Sequence, residues 1–185
     1  MQVSRRMFLK KMLVGGAAAV AMPWFAVSPA HCKACVSDVS GRLAVYNAHT
    51  DESLQIRYMT PDGNLIPHAL ERLNRLFRCH HNHAVKEIDP SLFVLMDRIH
   101  TRLGAGRRPL RLISGYRSPE YNEFLRSRGS RVAKKSYHLK GMAADIHIKG
   151  VKLAKLREVA GQINGGGVGS YSQFIHVDVG PVRSW

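Results

Sequence analysis

The sequence predicts an α+β fold, a small antiparallel sheet carrying one polar site and packed with helices. Three observations predict it. Residues 43–48 and 54–59 alternate apolar and polar with the period of strands. Apolar residues recur at helical spacing from Pro67 to about Cys79 and from Pro90 to Leu103. Two further strand-like runs, 142–148 and 174–179, enclose a helical one at 151–163, so the order is mixed rather than a strict strand–helix alternation.

Taken in order, the polar run His49-Thr50-Asp51-Glu52-Ser53 separates the first two strands, and Pro61-Asp62-Gly63-Asn64 is a turn signal. Leu70, Leu73, Leu76 and Phe77 give the first helix its apolar stripe. Asp89 and Pro90 read as an N-cap and a first-turn proline. Leu92, Phe93, Leu95, Met96, Ile99 and Leu103 form the apolar face of the second helix, and Gly104 ends it. A strand at 111–114 runs into Gly115-Tyr116-Arg117-Ser118, with Ser118 placed to cap a helix that Pro119 opens. The basic stretch 126–135 reads as a solvated loop that borders whatever groove the next motif serves. Leu153, Leu156, Val159 and Ala160 face one side of the last helix, Gly165-Gly166-Gly167 breaks it, and Pro181 ends the final strand.

The first thirty residues read as an address. Ser4-Arg5-Arg6-Met7-Phe8-Leu9-Lys10 has the form of a twin-arginine export signal, followed by an apolar stretch from Met12 to about Val27. Small residues at Ser28 and Ala30 place cleavage after Ala30. The apolar run is too short, and too rich in Gly and Pro, for a membrane span, so no span is expected after processing. The expected organisation is a leader at 1–30, a linker at 31–41 and one catalytic domain at 42–185, working in a periplasm or cell-envelope space.

Four of the 28 basic residues and none of the 13 acidic ones fall in the leader, which leaves a mature net charge of about +11. Such a surface favours anionic partners. Export argues against nucleic acid and leaves cell-wall polymer or lipid headgroups. An exported chain can close a Cys32–Cys35 disulfide. That C-x-x-C lacks the strand-then-helix context of a redox motif, and all three cysteines are read as non-catalytic.

Two separated motifs carry the chemistry: Ser136-Tyr137-His138 through Asp145, and Phe174-Ile175-His176-Val177-Asp178. Two imidazoles and a carboxylate, His138, Asp145 and His176, are the three-ligand set of a catalytic zinc, one ion per chain. Strand side chains alternate faces, so Asp145 shares a face with His147, and His176 with Asp178. If the two strands are neighbours, Asp145 and His176 come within reach of one metal. Asp178 and His147 then become the candidates for general base, with Asp178 equally able to orient His176 and His147 to stabilise an oxyanion. Ser136, Tyr137 and Tyr171 are placed along the substrate groove. His49, His68, His80, His81, His83 and His100 are assigned surface or structural roles.

These motifs, together with Ser114-Gly115-Tyr116-Arg117-Ser118, Gly-Gly-Val-Gly at 166–169 and the terminal Gly180-Pro181-Val182-Arg183-Ser184-Trp185, resemble the zinc superfamily of D-alanyl-D-alanine peptidases, murein endopeptidases and the hedgehog signalling domain. The nearest likeness is to its YcbK/MepK-type murein endopeptidases, from about Leu43 to Trp185. The resemblance implies zinc-dependent cutting of peptidoglycan cross-links, next to D-alanine or between two diaminopimelate residues. It also implies that Arg117 helps hold the carbonyl oxygen that gains charge. One departure stands out: many relatives carry a Glu three residues before the last His ligand, or a His two before it, and this chain has Gln173 and Phe174 there. Beside the endopeptidase stand a carboxypeptidase or dipeptidase of the same superfamily and a zinc-containing wall-binding module without catalysis. Oligomeric state is not legible in the sequence.

Overall fold

The computed structural model of the protein describes residues 38–129 and 132–185. The expected leader, its cleavage site, most of the linker, Cys32 and Cys35 lie outside the described residues. Seven strands form one sheet: β1 (Arg42–Asn47), β2 (Ser53–Arg57), β3 (Leu110–Ser114), β4 (Ala143–Ile148), β5 (Gly167–Ser170), β6 (Ile175–Asp178) and β7 (Arg183–Ser184). Four helices accompany them: α1 (Pro67–Leu76), α2 (Pro90–Arg102), α3 (Pro119–Ser127) and α4 (Leu153–Ile163). Among the described residues, no helix is long and apolar enough to cross a membrane.

The α+β class is as expected, but the sheet is larger and not purely antiparallel. Its order is β2-β1-β3-β4-β6-β5-β7, with β1–β3 and β5–β7 running parallel. β5 and β7 are additions to the expected strands. Their sequences, Gly-Val-Gly-Ser and Arg-Ser, carry almost no β-forming residues, so pairing with neighbours rather than propensity makes them strands.

The helix caps follow their chemistry. The Asp89 carboxylate accepts the Ser91 amide and the Ser118 hydroxyl accepts the Tyr121 amide, each with Pro in the first turn. One sheet face takes Ala144, Ile146, Ile148, Ile175 and Val177 into a core with Leu92, Phe93, Met96, Leu156 and Val159. Phe77 meets Phe93 edge-on at 5.4 Å between centroids. Each such fully buried large apolar side chain contributes roughly 1.5–3 kcal/mol of transfer free energy. Buried Asp97 on α2 ties the entry to β1 to the core, accepting from the Gly41 amide at 2.8 Å and the Tyr58 hydroxyl at 3.0 Å.

Between β3 and β4 the register slips: Leu112 faces Ile146, yet Ser114 faces Asp145. This bulge bends the end of β3 as it enters Gly115-Tyr116-Arg117. The turn is packed tightly, because a Cβ on Gly115 would stand 2.6 Å from the Phe77 carbonyl oxygen. On the other side of α3, the expected structural histidines form a stack. His49 lies on His80 at 3.8 Å, and His80 Nε2 bonds the Tyr121 hydroxyl at 3.0 Å.

Burial, then the neighbouring His49 and His81, Arg117 and His83, hold the His80 imidazole down at about 4 from the usual 6.5. Its folded form resists protonation while the unfolded chain accepts it. Stability should therefore be full above about pH 6.5 and fall as pH drops toward 4. Denaturant titrations of His80→Gln across that window should show a flatter pH slope than the parent. An identical slope would remove His80 from the acid response.

Candidate metal centre

The antiparallel pair β4–β6 sets Asp145 directly opposite His176, with Ala143 opposite Asp178. Both polar residues sit on the face turned away from the apolar core. His138 reaches them from a short 3-10 helix, Tyr137–Lys140. The Ser136 hydroxyl accepts the His138 amide, and Gly141 closes the helix in the left-handed conformation at φ 71°. A side chain at Gly141 would also put its Cβ 2.5 Å from the Glu87 carbonyl oxygen. The helix is therefore locked at both ends, and the glycine allows both the left-handed turn and the close packing.

Three donor atoms converge. His138 Nε2 lies 3.2 Å from Asp145 Oδ1 and 3.1 Å from His176 Nδ1, and His176 Nδ1 lies 2.9 Å from Asp145 Oδ1. Ligands about 2.0 Å from a tetrahedral zinc stand roughly 3.3 Å from one another, so the cluster is close to that size and slightly tighter. The outer nitrogens fix both tautomers. His138 Nδ1 donates to the Gly115 carbonyl at 2.7 Å, and His176 Nε2 donates to Asp178 Oδ2 at 3.0 Å. Each imidazole thus turns its lone pair toward the Asp145 carboxylate. Three lone-pair donors facing one another repel unless a cation or a proton lies between them. Among the described residues, this is the one group of three His, Cys, Asp or Glu side chains with metal-binding geometry.

The charges reflect that crowding. Burial alone would raise the Asp145 carboxyl, but His138 and His176 outweigh it and hold it well below the usual carboxylate range. Burial alone would lower His176, yet Asp145 and Asp178 together raise it. For Asp178 burial again opposes ionisation, and His176, Arg183 and the Gly180 amide outweigh it.

Asp178 is fully buried. Arg183 grips it with two nitrogens, at 2.7 and 3.1 Å, and the Gly180 and Gly167 amides donate to Oδ1 at 2.8 and 3.2 Å. Both oxygens are engaged, and Asp178 does not line the cavity. The alternation that brings Asp178 to His176 does not bring His147 to the site. His147 pairs with Arg111 further along β4, outside the cavity lining. Neither base candidate therefore faces the open side of the cluster.

A cavity of about 650 Å³ opens over the three donors. Ser136, Tyr137, Tyr171 and Arg117 line it. Arg117 is buried, donates from its amide to the His138 carbonyl, and holds Nη2 3.7 Å from Asp145 Oδ2 and 3.4 Å from the Ser114 hydroxyl. The basic stretch reaches the cavity through Val132, Ala133 and Lys135. Phe174 lines it, stacked on Tyr171 at 4.7 Å, whereas Gln173 is exposed and lies outside it. Among the described residues, Asp145 is the only carboxylate side chain in the lining.

Sequence reasoning missed Arg183 and Trp185. The Trp185 ring sits 5.4 Å from the His176 ring and crowds Gly169. The one advance signal, for Arg183, was a second polar strand residue, Asp178, followed five residues later by an arginine.

The sequence profile of a family described as Peptidoglycan L,D-endopeptidase MepK matches residues 36–185. The Peptidoglycan L,D-endopeptidase MepK of Escherichia coli K12 is 45% identical over 145 residues, covering 77% of this chain and 79% of the relative. A protein of Haemophilus influenzae named Probable peptidoglycan L,D-endopeptidase MepK is 39% identical over 162 residues, covering 86% and 87%. The converging His-Asp-His cluster thus sits within a domain that belongs to the MepK family of peptidoglycan L,D-endopeptidases.

Proposed function

We propose that this chain is a zinc-dependent endopeptidase that cuts an L,D bond in the peptide cross-links of peptidoglycan. The observation that carries the reading is the convergence of His138 Nε2, Asp145 Oδ1 and His176 Nδ1 within 3.2 Å, each imidazole fixed from behind. The same proposal takes residues 1–30 as a twin-arginine leader cleaved after Ala30, residues 42–185 as the peptidase domain, and the cell envelope as its place of work. The MepK relatives, named for peptidoglycan, support that setting.

Zinc held by these three residues supplies Lewis acidity for amide hydrolysis. The chain's own residues do the rest. The Gly115 carbonyl and Asp178 hold each imidazole in its ligating tautomer. Asp178, closed off from solvent and gripped by Arg183, is an orienting residue rather than a proton acceptor. Arg117 presents a fixed cation from the cavity wall to the substrate oxygen that gains negative charge. Tyr137, Tyr171, Phe174 and Trp185 form walls against which a peptide packs and from which water is displaced.

Protein lacking residues 1–30 should convert cross-linked muropeptide dimers to monomers when incubated with isolated peptidoglycan, read by mass after glycan digestion. Chelator should stop the conversion and zinc restore it. His138→Ala should lose both tight zinc binding and turnover. Unchanged muropeptides with zinc bound would assign the site to wall binding instead. Trimmed stem peptides without loss of dimers would assign a carboxypeptidase.

Asp178→Asn keeps the volume but weakens the hold on the His176 tautomer. Zinc affinity, measured by competition with a chelating dye, should fall about 10- to 100-fold. Parent-like affinity would show that the clamp does not tune the ligand.

A further inference from the structure

A second groove, of about 800 Å³, lies at the β1–β2 edge of the sheet and shares no lining residue with the catalytic cavity. Arg42 of β1 stands directly opposite Arg57 of β2 in the antiparallel register. Directly opposed side chains have Cβ atoms about 5 Å apart, and like charges placed so are destabilising. Arg107 joins them from the loop after α2, and His100 lines the same groove. Among the described residues, no acidic one lines it. Among the described residues, none of the three guanidinium groups is paired with a carboxylate; Arg57 makes one long bond of 3.4 Å to the Met59 carbonyl. Elsewhere the fold does neutralise its arginines, as in Arg78–Glu52 at 2.6 Å and Arg102–Asp38 at 2.7 Å. Three unneutralised guanidinium groups sharing one concave groove fit an anion that is not part of the chain.

We propose that this groove is a second binding site, taking carboxylates of the peptidoglycan at a distance from the bond being cut. The inference rests on the endopeptidase reading for the identity of the polymer. Guanidinium forks match planar carboxylates in bidentate geometry. A membrane surface fits less well, because none of the exposed large apolar residues (Leu65, Val85, Phe124, Tyr171, Val182, Trp185) lines the groove to anchor it in lipid. β1 and β2 lie two to four strand spacings from β4 and β6, on the order of 10–20 Å. A multivalent polymer can span that distance and engage both sites, which raises the effective substrate concentration at the metal centre.

Among the described residues, the Arg42 and Arg107 side chains make no hydrogen bond or ion pair, so Arg42→Gln/Arg107→Gln should fold normally. Arg42→Gln alone should raise the melting midpoint by about 1 °C, since it relieves the opposed charges. Binding is read by co-sedimentation with intact peptidoglycan in chelator, which halts cutting. The double variant should bind at least tenfold more weakly, and parent protein should lose binding to peptidoglycan whose carboxylates have been converted to amides. Zinc-loaded cleavage of a small soluble muropeptide dimer should stay within twofold of the parent. Undiminished sedimentation of the variant would overturn the proposal. So would equal losses on polymer and soluble dimer, which mean a structural role, or a loss confined to vesicles of anionic phospholipid, which means a membrane site. A parent that binds polymer but cuts no dimer would overturn the endopeptidase reading while leaving the binding result to decide this one.

Discussion

The structure depends above all on the register of two antiparallel strands. Asp145 and His176 meet because β4 and β6 pair with those residues directly opposed. A slip of one residue would send Asp145 into the apolar core and Ala144 to the face that carries the His-Asp-His cluster. The core enforces the register: Ala144, Ile146, Ile175 and Val177 are all buried on the other side of the same strands. Hydrophobic burial and the placement of Asp145 against His176 are therefore one constraint.

The third donor comes from outside the sheet and needs its own fixation. A capped 3-10 helix and the β3 bulge supply it, joined by the bond from His138 Nδ1 to the Gly115 carbonyl. On the other flank, Asp178 gathers His176, Arg183 and two backbone amides into a buried knot. Gly167 has no side chain because one would strike the Asp178 carboxylate and the Arg183 guanidinium. The weak-looking strands β5 and β7 are thus the frame of that knot, and their sequence answers to the site more than to strand propensity.

Much of this was legible in advance. Helices α1 to α4, the caps at Asp89 and Ser118, and the shared face of His176 and Asp178 follow from periodicity and local chemistry. What escaped notice was long-range. Apart from Val168, β5 and β7 consist of glycine, serine and arginine, which do not read as strand when taken locally. The role of Arg183 depends on a contact made only once β7 folds beside β5. His147 shows the limit of face counting: two residues along a strand is the right side but more than 6 Å further away. Gln173, suspect by position, proved to be exposed and apart from the cavity.

The most direct test of the central claim is zinc X-ray absorption on the zinc-loaded protein, with metal content measured alongside. One zinc per chain is predicted, with nitrogen and oxygen neighbours at about 2.0–2.2 Å, including the scattering pattern of two imidazoles and no sulfur. A sulfur shell near 2.3 Å would place the metal on cysteine, and a protein that retains no zinc would leave the three facing donors without their cation. Either result would contradict the account.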